Sequence, residues 1–141
     1  MQMSVASKTT CQIKEGLFGS CKGEAIGYCQ YCARLFCARH TLILEPEQQV
    51  CNRKNCVAKW DDLQVHLAYK NVVFARNEQE LCGIDDCTGV NFGQCVRCTG
   101  FFCPQHVGPL EEVVLENKVR VKHMATLCLH CAQRREIWLR V

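Results

Sequence analysis

The chain has 141 residues, of which 14 are Cys, with 22% charged residues and a formal net charge of +3. That length provides one ordinary domain or two very small ones, and small units with thin cores need staples, which here are sulfur. The near-balanced charge excludes a strongly basic nucleic-acid binder as the default reading. No apolar run approaches the roughly 18 residues of a membrane span.

Taken in chain order, residues 1–10 are a polar stretch with no signal-peptide core and are expected as a disordered tail. A chain without an export signal is expected in the cytoplasm, where Cys clusters bind metal more often than they form disulfides. From Cys21 to His40 runs CKGEAIGYCQYCARLFCARH. TLILEPEQQV follows, two short apolar pieces broken by Glu45-Pro46-Glu47 as a turn would break them, and then Cys51 and Cys56. VAKWDDLQVHL places Trp60, Leu63 and Leu67 at i, i+3 and i+7, one face of a helix. Val72 to Phe74 reads as a short β-like run, and the polar residues 76–80 read as a linker.

The second half repeats the first. CTGVNFGQCVRCTGFFCPQH, Cys87 to His106, aligns with the earlier block without a gap at an offset of 66. Eight positions are identical: Cys21/Cys87, Gly23/Gly89, Gly27/Gly93, Cys29/Cys95, Cys32/Cys98, Phe36/Phe102, Cys37/Cys103 and His40/His106. This reads as a duplication. One further Cys precedes each block, Cys11 or Cys82, and a closing pair follows it, Cys51/Cys56 or Cys128/Cys131. VGPLEEVVLENKVRVKHMATL is a candidate hairpin around Asn117-Lys118, in which Val113, Leu115, Val119 and Val121 alternate with more polar positions. AQRREIWLRV is a short helical segment with Ile137 and Trp138 as apolar anchors. The expected fold class is therefore small, zinc-stabilised α+β, with two tandem cross-braced modules, each a short hairpin plus a short helix. The boundaries are a tail over 1–10, a first module with trailing helix over 11–76, and a second module with C-terminal helix over 77–141.

Each copy carries seven Cys and one His in matched order. Zinc takes four soft or borderline ligands in a tetrahedron, so eight ligands make two closed sites and the chain is expected to hold four Zn²⁺. All 14 Cys are used, together with His40 and His106. A catalytic zinc keeps a position open for water, so these sites read as structural and the protein as a non-enzyme. Two pairings are open. The interleaved one groups Cys11, Cys21, Cys37 and His40; Cys29, Cys32, Cys51 and Cys56; Cys82, Cys87, Cys103 and His106; and Cys95, Cys98, Cys128 and Cys131. The sequential one groups the first four and the last four ligands of each copy. The interleaved pairing is favoured because it ties the variable hairpin back onto the constant block. Metal loading converts 14 thiols to thiolates and adds four divalent ions, which takes the formal charge from +3 to −3.

Redox catalysis by the C-x2-C pairs lacks the strand-helix context of a thioredoxin motif. His66, His123 and His130 remain outside the ligand sets. His66 is expected at the surface or core edge, and His130 is an alternative ligand beside Cys128 and Cys131. Phe36 and Phe102 are expected as miniature core, and Trp60 and Trp138 as packing residues. An exposed Trp138 would instead be a partner-docking anchor.

The pattern C-x7-C-x2-C-x4-C-x2-H, preceded by a Cys and followed by two more ligands, resembles a B-box-type zinc finger. More distantly, FCARH and FCPQH are similar to the F-C-x2-H element of AN1-type fingers. The resemblance covers residues 11–56 and 82–131. B-boxes usually close with His where both copies here have Cys, and their first ligand pair is spaced more tightly. The resemblance implies a RING-like cross-brace acting as a protein-protein interaction or adaptor module, whose partner is another protein. A second reading, association with nucleic acid, rests on Lys118, Arg120, Lys122, Arg134, Arg135 and Arg140 against Glu136 alone in the C-terminal region. A third, a RING-like component of a ubiquitin-pathway ligase, rests on fold analogy and is opposed by the position of the His at the close of the third pair.

Overall fold

The computed structural model describes residues 9–16 and 19–140. Of the tail expected over 1–10, residues 1–8 lie outside the described residues, while Thr10 bridges antiparallel to Glu24 and Thr9 accepts a hydrogen bond from the Ala25 N–H. The chain divides into two compact units, one ending at Trp60 and the other beginning at Asp61. Each is described by itself.

In the first unit, β1 (Lys14–Glu15) pairs antiparallel with β2 (Gly19–Ser20), and β3 (Gly27–Tyr28) with β4 (Leu35–Phe36). A 3₁₀ turn over Ala38–His40 leads into the hairpin of β5 (Thr41–Glu45) and β6 (Gln48–Cys51). Pro46 and Glu47 form its turn, at the break expected from Glu45-Pro46-Glu47. The helix α1 (Lys54–Glu78) starts in this unit. The non-cysteine core is Ile13, Phe36 and Val50, with Trp60 packed against it. Among the described residues that is a thin core, so the cysteines in it contribute more than packing.

The second unit holds the remainder of α1, the pair β7 (Gly93–Gln94) and β8 (Phe101–Phe102), the hairpin β9 (Val107–Glu116) and β10 (Val119–Cys128), and α2 (Leu129–Leu139). Its non-cysteine core is Val73, Phe102, Val107 and Leu127. The long hairpin turns through Asn117 and Lys118, both left-handed with φ of 50° and 66°. That is the two-residue type I′ geometry, whose twist matches the strands it joins. Its register pairs Glu116 with Val119 and Leu115 with Arg120. Val113 and Leu115 therefore lie on one face of the ribbon and Val119 and Val121 on the other, so the valine alternation does not build a single apolar face.

The hydrogen bonds around the two Cys-rich blocks recur at the same offset of 66 as the sequence. Cys29 N–H donates to Arg34 O and Cys95 N–H to Gly100 O; His40 N–H donates to Cys37 O and His106 N–H to Cys103 O. The strand-to-knuckle bonds Gln30 N–H to Gln49 O and Val96 N–H to Thr126 O keep that offset at their donors alone, since the acceptors lie in hairpins of different length. Ala33 and Thr99 are both left-handed, with φ of 58° and 64°.

Three expectations need correction. Val72 to Phe74 is not a strand but part of α1, which has 25 residues and is no short helix. The β propensity of Val-Val-Phe is overridden because Val73 is fully buried in the second core. Leu67, expected on the buried helical face, is exposed, and the face that packs carries Tyr69, Val73 and Asn77 instead. Residues 76–80 do not form a free linker. Arg76 donates to the Cys82 and Cys87 carbonyls, and Asn77 exchanges hydrogen bonds with Phe101 at 2.9 Å in both directions.

Candidate metal centres

Four groups of side chains converge: Cys11, Cys21, Cys37 and His40; Cys29, Cys32, Cys51 and Cys56; Cys82, Cys87, Cys103 and His106; Cys95, Cys98, Cys128 and Cys131. Within each group the ligand atoms all lie within 4.8 Å of one another. These are the interleaved sets, and every Cys of the chain falls in one of them. Cys11 joins its group despite its wide spacing from Cys21. His130 does not: its Nε2 lies 3.0 Å from His66 Nδ1, and the two rings stack.

The interleaving has a local cause. Each C-x2-C or C-x2-H turn presents two ligands side by side, but β3–β4 and β7–β8 set successive turns at opposite ends of their short ribbons. Alternate turns therefore meet. β6 delivers Cys51, and the first turn of α1 delivers Cys56 to the knuckle of Cys29 and Cys32. β10 and α2 deliver Cys128 and Cys131 to Cys95 and Cys98 in the same way.

In the groups of Cys11, Cys29 and Cys82 the distances fit one ion each. Four sulfurs each about 2.3 Å from a tetrahedral zinc stand about 3.8 Å apart, and a sulfur and an imidazole nitrogen about 3.5 Å apart. The Sγ–Sγ separations are 3.6 Å for Cys21/Cys37, 3.7 Å for Cys29/Cys56 and Cys32/Cys51, and 3.8 Å for Cys87/Cys103. His40 Nδ1 is 3.4 Å from Cys11 Sγ and 3.3 Å from Cys37 Sγ; His106 Nδ1 is 3.5 Å from Cys82 Sγ and 3.2 Å from Cys103 Sγ. A disulfide requires about 2.05 Å between sulfurs, so none of these pairs is bonded.

Protonation points the same way. Burial raises the Cys56 thiol to about 11, with Cys29 adding to the rise. Burial also acts to raise Cys32, but the Arg34 backbone N–H, Arg53 and the neighbouring thiols outweigh it and bring Cys32 down to about 6. Burial is likewise outweighed at Cys37, where the Arg39 N–H and His40 bring the thiol to about 6. Thiols this close cannot all ionise beside one another, and a divalent cation at the centre removes the conflict.

The repeated glycines next to these sites follow from close packing. A Cβ on Gly23 would stand 3.0 Å from Cys37 Cβ, and one on Gly89 2.7 Å from Cys103 Cβ. The N–H groups of the same glycines point at Cys21 and Cys87 Sγ, at 3.4 and 3.3 Å. Gly27 instead makes room for the buried ring of Phe36, which a Cβ would approach to 2.4 Å.

Three residues around the sites were not read from the sequence. Glu15 places Oε1 3.2 Å from His40 Nε2, which holds that nitrogen's proton outward and leaves Nδ1 for a metal. Arg39 bonds both Glu15, at 2.8 Å, and Cys21 Sγ, at 3.5 Å. Tyr69 donates to Cys128 Sγ at 3.2 Å. Their partners are too distant in sequence for any spacing rule to show them. Trp138, a docking candidate had it been exposed, is half-buried and donates Nε1–H to Asp62 at 2.6 Å.

No family model matches the chain, and the curated proteins and solved structures contain no match to it. No helix of the described residues is long and apolar enough to cross a membrane.

Proposed function

We propose that the protein binds four zinc ions in closed structural sites and acts, without catalysis, as a tandem B-box-like module for protein-protein contacts. The observation that carries the reading is the set of four clusters, each with four Cys or His ligand atoms within 4.8 Å of one another. The donor set is all sulfur and imidazole, which suits zinc and leaves out the hard cations that take oxygen. Four protein ligands per site leave no position for a substrate or an activated water, which argues against catalysis. The recurrence of knuckle, glycine and hydrogen bond at one offset supports duplication of a single module.

Two observations favour a protein partner over nucleic acid. The first is apolar surface: Phe92, Phe74, Phe101 and Val90 are exposed in the second unit, the first three around a groove of about 600 Å³. The second is that several of the C-terminal cations are engaged. Arg134 is held by Asp62 at 2.7 Å and Arg120 by Glu136 at 3.0 Å. Zinc loading adds negative charge, which further weakens any pull on phosphates. Nuclease-treated pull-down from the native source followed by salt titration tests this. A stoichiometric protein partner that survives nuclease supports the reading. Retention on nucleic acid with affinity falling steeply in salt would replace it.

A further inference from the structure

The two all-Cys clusters are not equivalent. All four cysteines of the Cys95/Cys98/Cys128/Cys131 group are buried, whereas Cys32 in the Cys29/Cys32/Cys51/Cys56 group is partly exposed. The fully buried group also has a hydroxyl against one of its sulfurs. Tyr69, 59 residues before Cys128 and on the second-unit part of α1, donates its O–H to Cys128 Sγ at 3.2 Å. Its ring is fixed from two sides, stacked on His130 with centroids 3.9 Å apart and on Phe102 at 6.5 Å. His130 is in turn held by His66 at 3.0 Å. The hydroxyl therefore cannot swing off the sulfur without breaking ring packing.

We propose that Tyr69 is a positioning residue of the Cys95/Cys98/Cys128/Cys131 metal site, and that its O–H···S bond makes this site the more inert of the two all-Cys sites. The proposal rests on the four-metal reading. Four thiolates around one divalent ion carry a net charge of −2, held on the sulfurs. A hydrogen bond to sulfur draws some of that charge away, leaving the thiolate less basic and less nucleophilic while it still binds the ion. Loss of such an ion starts when a proton, an oxidant or an alkylating agent takes a ligand sulfur. Cys128 is shielded from all three by burial and by Tyr69, whereas Cys32, with Arg53 beside it, is partly exposed to them. Metal should therefore leave the Cys29/Cys32/Cys51/Cys56 site first and the Tyr69-capped site last of this pair.

The test uses the full chain loaded with ¹¹³Cd and observed by ¹¹³Cd NMR, comparing the wild type with Tyr69→Phe, which keeps the ring and removes only the hydroxyl. The wild type should give four resonances, two of them in the all-thiolate range. In Tyr69→Phe one all-thiolate resonance should move while the other three stay, and a chelator competition should find one ion bound about 10- to 100-fold more weakly. Unmoved resonances with unchanged affinity would overturn the proposal. So would a shift of all four, since that marks a general structural role. Fewer than four resonances in the wild type would remove the metal reading itself and the proposal with it. A second measurement needs no variant: timed alkylation of the zinc-loaded wild type, mapped by peptide mass spectrometry, should modify Cys32 and its partners before Cys95, Cys98, Cys128 and Cys131. The reverse order would also overturn the proposal.

Discussion

Glu112 is the one buried carboxylate among the described residues, at 1% exposure, and replacing it tests how the second unit is held together outside its metal sites. It lies on β9 and accepts from Arg97, whose Nε is 3.0 Å from Oε2 and whose Nη2 meets Oε1. His123 Nε2, across the ribbon on β10, is 2.7 Å from Oε1. Arg97 lies in the knuckle between Cys95 and Cys98, so this carboxylate ties the hairpin to the knuckle. Breaking a wholly buried ion pair costs about 3–5 kcal/mol, because the abandoned partner stays uncompensated. Here Arg97 and His123 are 41% and 39% exposed and can turn to water, so that penalty is partly relieved. Glu112→Gln should therefore cost about 2 kcal/mol, the worth of one to two charge-assisted hydrogen bonds. The Arg97 guanidinium, first, and then His123 hold the Glu112 carboxyl below the usual carboxylate range. A carboxyl with a depressed folded pKa contributes fully above its unfolded value of about 4.3 and loses that contribution as pH falls through the lower folded value. The comparison therefore belongs at pH 7, in urea, with the zinc-loaded chain followed by circular dichroism. A midpoint lower by about 1–2 M urea is expected, and a paired Arg97→Met, Glu112→Met variant should recover much of the loss. A change below about 0.5 kcal/mol for Glu112→Gln would refute the tie, since that is what an ordinary surface substitution gives.

Lys118→Gly should raise the thermal midpoint, by about 1 kcal/mol in stability, because Lys118 occupies a left-handed position that glycine adopts without Cβ strain; a lowered midpoint would speak against the type I′ turn. Glu15→Gln should weaken Co²⁺ binding at the Cys11/Cys21/Cys37/His40 site alone by about 10-fold, read by chelator competition, through loss of the His40 orienter. Equal affinity would leave Glu15 without that role. Phe102→Ala should destabilise the second unit by about 3–5 kcal/mol in denaturant, since its ring is fully buried among few other apolar side chains. A cost under about 1 kcal/mol would mean that the core is not built around it.

What could be read from the sequence was set by local geometry. The ligands sit in C-x2-C and C-x2-H turns, where spacing within four residues decides whether two side chains can share an ion, and the matched order in the two copies supplied the rest. The Asn117-Lys118 turn was legible for the same reason, since its two flanking strands are adjacent in the chain. The helical state of Val72 to Phe74 was not legible. Its local propensity is for strand, and only the burial of Val73 against Phe102, 29 positions later, makes it part of α1. The packed face of α1 was missed because it is built largely from polar residues: Tyr69 is used by Cys128, Arg76 by the Cys82 carbonyl and Asn77 by Phe101. An apolar periodicity count does not register such a face. Glu15 and Arg39 were missed because a single charged residue in a short strand or turn looks like any solvated one until His40 and Cys21 are seen beside it.

The number of metal ions in the folded chain tests the account most directly. Native mass spectrometry with elemental analysis of the protein purified without added metal should find four zinc ions per chain and no disulfide, and removal by a chelator should unfold both units. Two ions per chain, disulfide-linked cysteines, or a fold that survives complete metal removal would contradict it.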